Sequence, residues 1–428
     1  MKQIRIFSGF ILLLFLCSCT PATPPPRAEF RKAPYLIFTG QPNSMGVMWQ
    51  TTSTPAQAKI EWGTDEKVSG GSVVVKEMPG KEQDHLFLHT LTNLASGTRI
   101  FYRVTVDGKT IASSFFTSPA NPSGFSIYAV SDTQTNPSVH NKVMGAILKD
   151  IQLQPAARQT ILLHGGDHIS HGLYEPDWDT EYFNQGYTNV TSLLGSLPVV
   201  GALSNHLLYA AEEYVKVCSR PYASVYRKFF PYPMYASPEH FYYSFDYGPI
   251  HVTVVDPYTA EFQAGSEQYQ WLQADLGKPA RYKVVMMHQP AWSYRWSSYA
   301  LRQHLHEVFK ANGVNLVLQG HDHFYSRLVV DGIQYVVIGG GGGSLTYPDK
   351  FLTRHDDPAD TEIMSTCVKV PFAPDPDLPK VNLVDPHSAA RAHHYLRMDL
   401  AGDKLTLRVV DLDGKVIDCF PDGAVCPP

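Results

Sequence analysis

The residues best suited to chemistry sit at the ends of apolar runs. The stretch GVNLVLQGHDHFYSR, residues 313–327, passes from strand-forming residues through Gly320 into His321, Asp322 and His323. Four other runs end the same way. FSIYAV leads into Ser131-Asp132-Thr133-Gln134, TILLHGG into Asp167, PVVGAL into Ser204-Asn205-His206, and YKVVMM into His288. Asp132, Asp167, Asn205, His288, His321 and His323 are hard-to-borderline oxygen and nitrogen donors, suited to Zn²⁺, Mn²⁺, Fe or Co. There is no GxSxG elbow, no evident Cys-His pair and no Walker-type glycine loop. A dinuclear metal site is the economical reading.

Such residues need elements to hold them. Each of the five runs suits a strand buried on both faces. Between them lie helical stretches such as SVHNKVMGAILKDIQLQ (138–154) and SYALRQHLHEVFKANG (298–313). That alternation predicts an α/β domain over residues 119–428, with mixed sheets flanked by helices. In open α/β sheets the carboxyl ends of the strands are where ligands bind. Residues 28–118 read instead as short strands between turn signals, with Asp107-Gly108 marking a tight hairpin. They predict an all-β, fibronectin type III-like sandwich, acting as a spacer and wall for the next domain.

The whole chain has 428 residues, 44% hydrophobic and 18% charged, with a net charge of −5. That leaves no basic field to recruit nucleic acid. The N-terminus carries Lys2 and Arg5 before an apolar run, the pattern of a signal peptide over residues 1–18. Its end, Leu16-Cys17-Ser18-Cys19, resembles a bacterial lipobox, which implies a lipidated Cys19. Residues 19–27 then form a Pro-rich tether. The expected location is exported and lipid-anchored, at the outer membrane facing the periplasm or at the cell surface. Cys218, Cys367, Cys419 and Cys426 remain in the body of the chain. Cys419 and Cys426 bracket a short turn-rich loop, and Cys218 with Cys367 would follow, but three pairings are open.

In order, SDTQ, GGD, SNH, MMH and GHDH resemble the five motifs of the calcineurin-like metallophosphoesterases. With the N-terminal sandwich, the chain resembles the purple acid phosphatase branch over nearly all of residues 28–420. The resemblance implies that Asp132 and His323 hold a first metal, that Asp167 bridges, and that Asn205, His288 and His321 complete a second. It implies two divalent or trivalent ions (Fe, Zn or Mn) and a hydroxide attacking phosphorus in line. His206 would be the general acid for the departing alkoxide. The substrate class implied is a small phosphate monoester. A phosphodiesterase or nucleotide hydrolase on the same metals is the near alternative, and a non-catalytic surface binding protein the distant one.

The chain departs from the family in two places. The Tyr three residues after the bridging Asp is absent: His168, Ile169 and Ser170 follow Asp167. The wider superfamily's His two after the first Asp is Gln134, a weaker neutral donor and a possible ligand. His168, His171 and Tyr174 are nearby substitutes. After His206 come Leu207 and Leu208, where the family has an acidic residue to orient the His. In PAWSYRWSSY, Tyr294 and Arg295 are candidate substrate contacts, Arg295 by gripping phosphate. Asp322 is expected to point away from the metals and orient its neighbours. GGGGGS (339–344) follows a strand and is expected to be a tight turn passing close to the site.

Overall fold

The computed structural model describes residues 29–79, 84–118, 124–211, 215–348, 366–371 and 389–421. The expected signal peptide and tether, with Cys19 and Cys426, lie outside the described residues. No described helix is long and apolar enough to cross a membrane.

Two large mixed sheets position everything else. The seven-stranded sheet runs Tyr243–Tyr247, Ile250–Val254, Tyr282–Met286, Leu316–Gln319, Ile333–Ile338, Tyr325–Val330 and Ala389–Ala390. Its strands Ile250–Val254, Tyr282–Met286, Leu316–Gln319 and Ile333–Ile338 are parallel neighbours. Every residue of Ile250–Val254 and of Leu316–Gln319 is buried. Their near-continuous aliphatic sequence is what burial on both faces demands.

The nine-stranded sheet runs Val416–Phe420, Lys404–Asp411, His394–Ala401, Gly124–Val130, Leu162–His164, Val199–Gly201, Phe30–Phe38, Met45–Thr51 and Leu86–Leu91. Gly124–Val130, Leu162–His164 and Val199–Gly201 are mutually parallel. The strand Phe30–Phe38 then adds to Val199–Gly201 in parallel, with Ile37 opposite Val199. Three N-terminal strands therefore extend the sheet that carries Asp132, where sequence patterning suggested a spacer. Strand periodicity reports which faces are buried and says nothing about which distant strand is the neighbour.

The remaining N-terminal strands form a four-stranded sheet, Gly71–Val74, Ala58–Gly63, Arg99–Val106 and Lys109–Thr117. It covers the Leu86–Leu91 end, where the Trp62 ring lies 5.5 Å from that of His89. Asp107 (φ 50°) and Gly108 (φ 75°) make the expected hairpin turn, both in the left-handed region.

A half-buried charge network fastens the N-terminal strands further. The Lys32 side chain is fully buried and its ammonium donates to Gln50 Oε1 (2.6 Å) and to Asp179. Burial pushes Lys32 down to about 8 against the pull of Asp179. Arg31 reaches Glu175 (2.9 Å) and Asp179 (2.7 Å), and Lys228 reaches Glu175 (2.5 Å).

Helix Pro137–Leu153 packs through His140, Val143, Met144, Ile147 and Ile151, one face of a helical repeat. Helix Tyr299–Ala311 is started by Ser298, whose hydroxyl accepts from the Leu301 amide. Cys218 and Cys367 form a disulfide across a sequence separation of 149. Cys419 is also disulfide-bonded.

Candidate metal centre

The C-terminal ends of the two parallel strand sets meet, and five donors converge there, with Asn205 beside them through the amide of His206, which donates to Asp167 Oδ1 (3.3 Å). From one sheet come Asp132 after Gly124–Val130, Asp167 after Leu162–His164, and Asn205 after Val199–Gly201. From the other come His288 after Tyr282–Met286, and His321 and His323 after Leu316–Gln319. Asp167, His288 and His321 offer ligand atoms all within 4.8 Å of one another, and so do Asp132, Asp167 and His323. Asp167 is common to both groups.

Three of these residues adopt backbone angles that side chains avoid. Asp132 (φ 61°), Asp167 (φ 50°) and His321 (φ 70°) are all left-handed. Each such conformation costs on the order of 1 kcal/mol and persists only when neighbours over-determine it. Here they do. The Asp132 amide donates to the Gly166 carbonyl (3.0 Å), and the His321 amide donates to both Asp132 carboxylate oxygens (3.0 Å each). The Asp167 amide donates to Ser204 Oγ (2.8 Å). These sharp turns at the strand ends aim the side chains at one point. Glycine is required beside them: a Cβ on Gly320 would lie 2.8 Å from both Asp132 Oδ2 and His288 Nδ1, and one on Gly343 would meet the His323 ring at 2.8 Å. The GGGGGS turn thus passes against the site.

The histidines are fixed through their far nitrogens. His288 Nδ1 lies 2.9 Å from the Gly165 carbonyl and His323 Nδ1 2.9 Å from the Ser344 carbonyl. A carbonyl can only accept, so each Nδ1 carries hydrogen and each Nε2 faces the carboxylates. His288 Nε2 is 3.1 Å from Asp167 Oδ2, and His323 Nε2 is 3.5 Å from Asp132 Oδ1. Burial disfavours a charged His323, but the Asp132 carboxylate outweighs it and raises the ring to about 9. His288 is raised likewise by Asp167 against its burial. Asp167 is held well below the usual range, its burial overcome by His206 and His288. His321 goes the other way, pushed down to about 3 by burial and by the charge of His288.

The donor set fits cations. Asn205 Oδ1 is buried with no hydrogen-bond partner among the described residues. Buried lone pairs left without a donor are costly, and a metal ion satisfies them. Gln134 turns its amide nitrogen toward Asp167 Oδ2 (3.2 Å) and His323 Nε2 (3.2 Å), so its carbonyl oxygen is not the atom aimed at that carboxylate.

His206 lies beside this cluster, with Nε2 3.7 Å from Asp167 Oδ2 and Nδ1 2.7 Å from the Ser170 carbonyl. Ser170 occupies the position where the resembled family has a Tyr. Its amide and hydroxyl both donate to Glu181 Oε2 (2.9 and 3.1 Å). A backbone carbonyl therefore does the orienting that a neighbouring carboxylate was expected to do.

Other candidates are placed elsewhere. His168 is stacked on His164 with ring centroids 3.7 Å apart, in a pocket with Tyr182, Tyr226 and Phe230. His171 pairs with Asp177 (2.7 Å), and Tyr174 is 43% exposed. Tyr294 is buried in the hydrophobic core. Arg295 is partly exposed and its guanidinium lies 4.2 Å over the Trp296 ring, which itself lies 5.3 Å from His321. Asp322 accepts from the Ser293 hydroxyl and the Trp296 amide (3.3 Å), and burial raises it to about 7. It braces the Trp296 loop.

Two tyrosines at the site went unread in the sequence. Tyr209 sits 5.1 Å from the His206 ring, and its hydroxyl is 3.4 Å from Asn205 Nδ2. Tyr258 lies 6.1 Å from the His288 ring. The available signal was a sixth apolar run, IHVTVV, ending in Asp256-Pro257-Tyr258.

Residues 125–325 match the family model for calcineurin-like phosphoesterases, and residues 32–122 match that for the purple acid phosphatase N-terminal domain. Purple acid phosphatase 15 of Arabidopsis thaliana is 30% identical over 206 residues, 44% of this chain and 36% of that protein. The purple acid phosphatase of Glycine max is 24% identical over 327 residues, 72% of this chain and 68% of that protein. The chain spans less than half the length of the Arabidopsis relatives heading these matches, at 36%, 44% and 47%. Among solved structures, purple acid phosphatase PPD1 from yellow lupin (Lupinus luteus) superposes with TM-score 0.66 at 17% identity, covering 91% of this chain and 74% of that one. PhoD superposes with TM-score 0.61 at 15% identity, covering 94% and 95%.

Proposed function

From the premise that this chain carries a calcineurin-like phosphoesterase domain behind a purple acid phosphatase N-terminal domain, we propose that it hydrolyses phosphate monoesters. The observation that carries the reading is the sharing of Asp167 between two donor groups, which is the arrangement a bridged metal pair requires. Asp132, Asp167 and His323 would hold one ion, and Asp167, Asn205, His288 and His321 the other. When bound, such a pair supplies Lewis-acid charge to phosphoryl oxygens and acidifies water between the ions.

The chain's own residues do the rest. His206 holds a proton at Nε2 for the departing alkoxide, with Nδ1 locked on the Ser170 carbonyl. His206 and His288 overcome the burial of the Asp167 carboxyl and hold it well below the usual carboxylate range, which favours the ionised form a metal needs. Arg295, stacked on Trp296, is available to an anionic substrate group. The exported, lipid-anchored location belongs to the same proposal; the Cys218–Cys367 disulfide supports an oxidising compartment.

Elemental analysis of the purified protein, joined to a panel of mono- and diesters, tests the proposal. Two metal equivalents and monoester turnover are expected. Protein that binds no metal, or that turns over bis-esters in preference, would overturn it.

A further inference from the structure

Tyr258 is fully buried, yet its hydroxyl has no hydrogen-bond partner among the described residues. Other buried tyrosines spend theirs on backbone carbonyls: Tyr35 on Phe229, Tyr102 on Gly195, Tyr232 on Val199 and Tyr243 on Gly201. The Tyr226 phenol pairs with that of Tyr235, and its ring lies among Trp178, Phe230 and Phe241 in the aromatic core. The Tyr258 ring instead stands 6.1 Å from that of His288. The carboxylates of Asp167 and Asp132 and the Tyr209 phenol all lie near enough to act on it electrostatically.

The loop that presents Tyr258 is pinned on both sides. The Asp256 carboxylate accepts from the amides of Tyr258 (3.0 Å), Thr259 (2.9 Å) and Phe241 (3.0 Å). The Tyr258 carbonyl accepts from the Cys367 amide (2.7 Å) and the Thr366 hydroxyl (3.2 Å). Cys367 is tied in turn to Cys218, next to Val217, whose amide donates to the Leu208 carbonyl (2.9 Å), while Tyr209 bridges to Lys216. One disulfide thus secures the loops bearing both tyrosines.

We propose that the Tyr258 hydroxyl donates a hydrogen bond to a phosphoryl oxygen of the bound substrate. The inference rests on the phosphate-ester reading and adds a contact that none of the metal-ligand motifs contains. A donor desolvated in advance and held by a pinned loop has already met its ordering and burial costs in the free protein, so its bond is regained in full when phosphate arrives. Its neutrality matters as well: a cation in its place would be captured by Asp167 or Asp132.

The test is Tyr258→Phe in the metal-loaded protein, with inorganic phosphate binding followed by calorimetry and KM for an aryl phosphate followed alongside. Phosphate Kd and KM should both rise about tenfold, the worth of a hydrogen bond to a charged acceptor. Thermal stability should stay level or rise, because an unpartnered polar group has been removed. Tyr226→Phe should leave phosphate affinity unchanged. Unaltered phosphate affinity in Tyr258→Phe would overturn the proposal, as would a loss of melting temperature without loss of affinity. So would a visible tyrosinate-to-iron band, in iron-loaded protein, that Tyr258→Phe abolishes; that would make Tyr258 a ligand. Because phosphate binding needs no turnover, tyrosine-dependent binding without hydrolysis would refute the hydrolase reading alone.

Discussion

His206 Nδ1 lies 2.7 Å from the carbonyl oxygen of Ser170, three residues beyond Asp167. That bond fixes the tautomer and aims Nε2 across the site toward Asp167. Replacing His206 by Gln should lower kcat by about 10²–10⁴-fold while metal content holds. Because Ser170 is itself held by Glu181, Glu181→Ala should also lower kcat, by about tenfold or more, with little change in KM. Steady-state kinetics on both variants, with elemental analysis, checks this pair.

Asp167→Asn should cost about a thousandfold or more in kcat/KM, since the loss of a bridging charge removes several kcal/mol at 1.36 kcal/mol per decade. Bound metal should fall below two equivalents. A variant that kept both ions would contradict the shared-ligand assignment.

Metal uptake should depend on pH, with a definite sign. In the metal-free protein Asp132 holds His323 protonated up to about 9, whereas His321, at about 3, is already neutral. Below about 9, binding at the His323 position must expel a proton. Apparent affinity should therefore fall as pH falls, by up to about tenfold per pH unit for one proton released. Chelator competition between pH 6 and 9, with proton release measured in weak buffer, gives the answer.

Stability should have its own pH signature away from the site. His251 is clasped by Asp246 (2.6 Å) and Asp275 (3.0 Å), and Asp275 also accepts from Thr253 (2.9 Å) and Lys278 (2.6 Å). Burial opposes both charges, yet His251 is raised by Asp275 and Asp246, and Asp275 is lowered by His251 and Lys278. A raised histidine contributes fully below its unfolded value and loses that contribution as pH rises through the folded one. A lowered aspartate contributes above its unfolded value and loses it as pH falls. The pair should therefore be worth most between about pH 4 and 6.5. His251→Asn should cost about 2 kcal/mol at pH 6 and less at pH 9, read from denaturant unfolding.

Cys218 is exposed, so the Cys218–Cys367 bond is open to reductants. Cys367→Ser should lower stability by about 2–4 kcal/mol and mild thiol treatment should mimic it. Turnover should fall in both cases, because the segment resting on Tyr258 is released.

The donors could be read from sequence because each sits directly after an apolar run, and strand ends are local features. Asp132, Asp167, Asn205, His288, His321 and His323 all stand at such ends. What orients His206 could not be read, since the acceptor is a backbone carbonyl and any residue supplies one. Tyr258 was missed because its run ends in Asp256, which caps its own loop, and Tyr is not a typical ligand. The pairing of Phe30–Phe38 with Val199–Gly201 was invisible for a third reason: parallel neighbours far apart in sequence leave no local trace.

That pairing makes the leading region indispensable. A chain shortened to begin after Ser118 would bare a row of amides and carbonyls along Val199–Gly201, beside the turn that bears Asn205 and His206. An open edge of that kind recruits other copies of itself. Chimaeras that exchange the first region for another module would have to carry Phe30–Phe38 across with the second domain, or accept precipitation as the outcome.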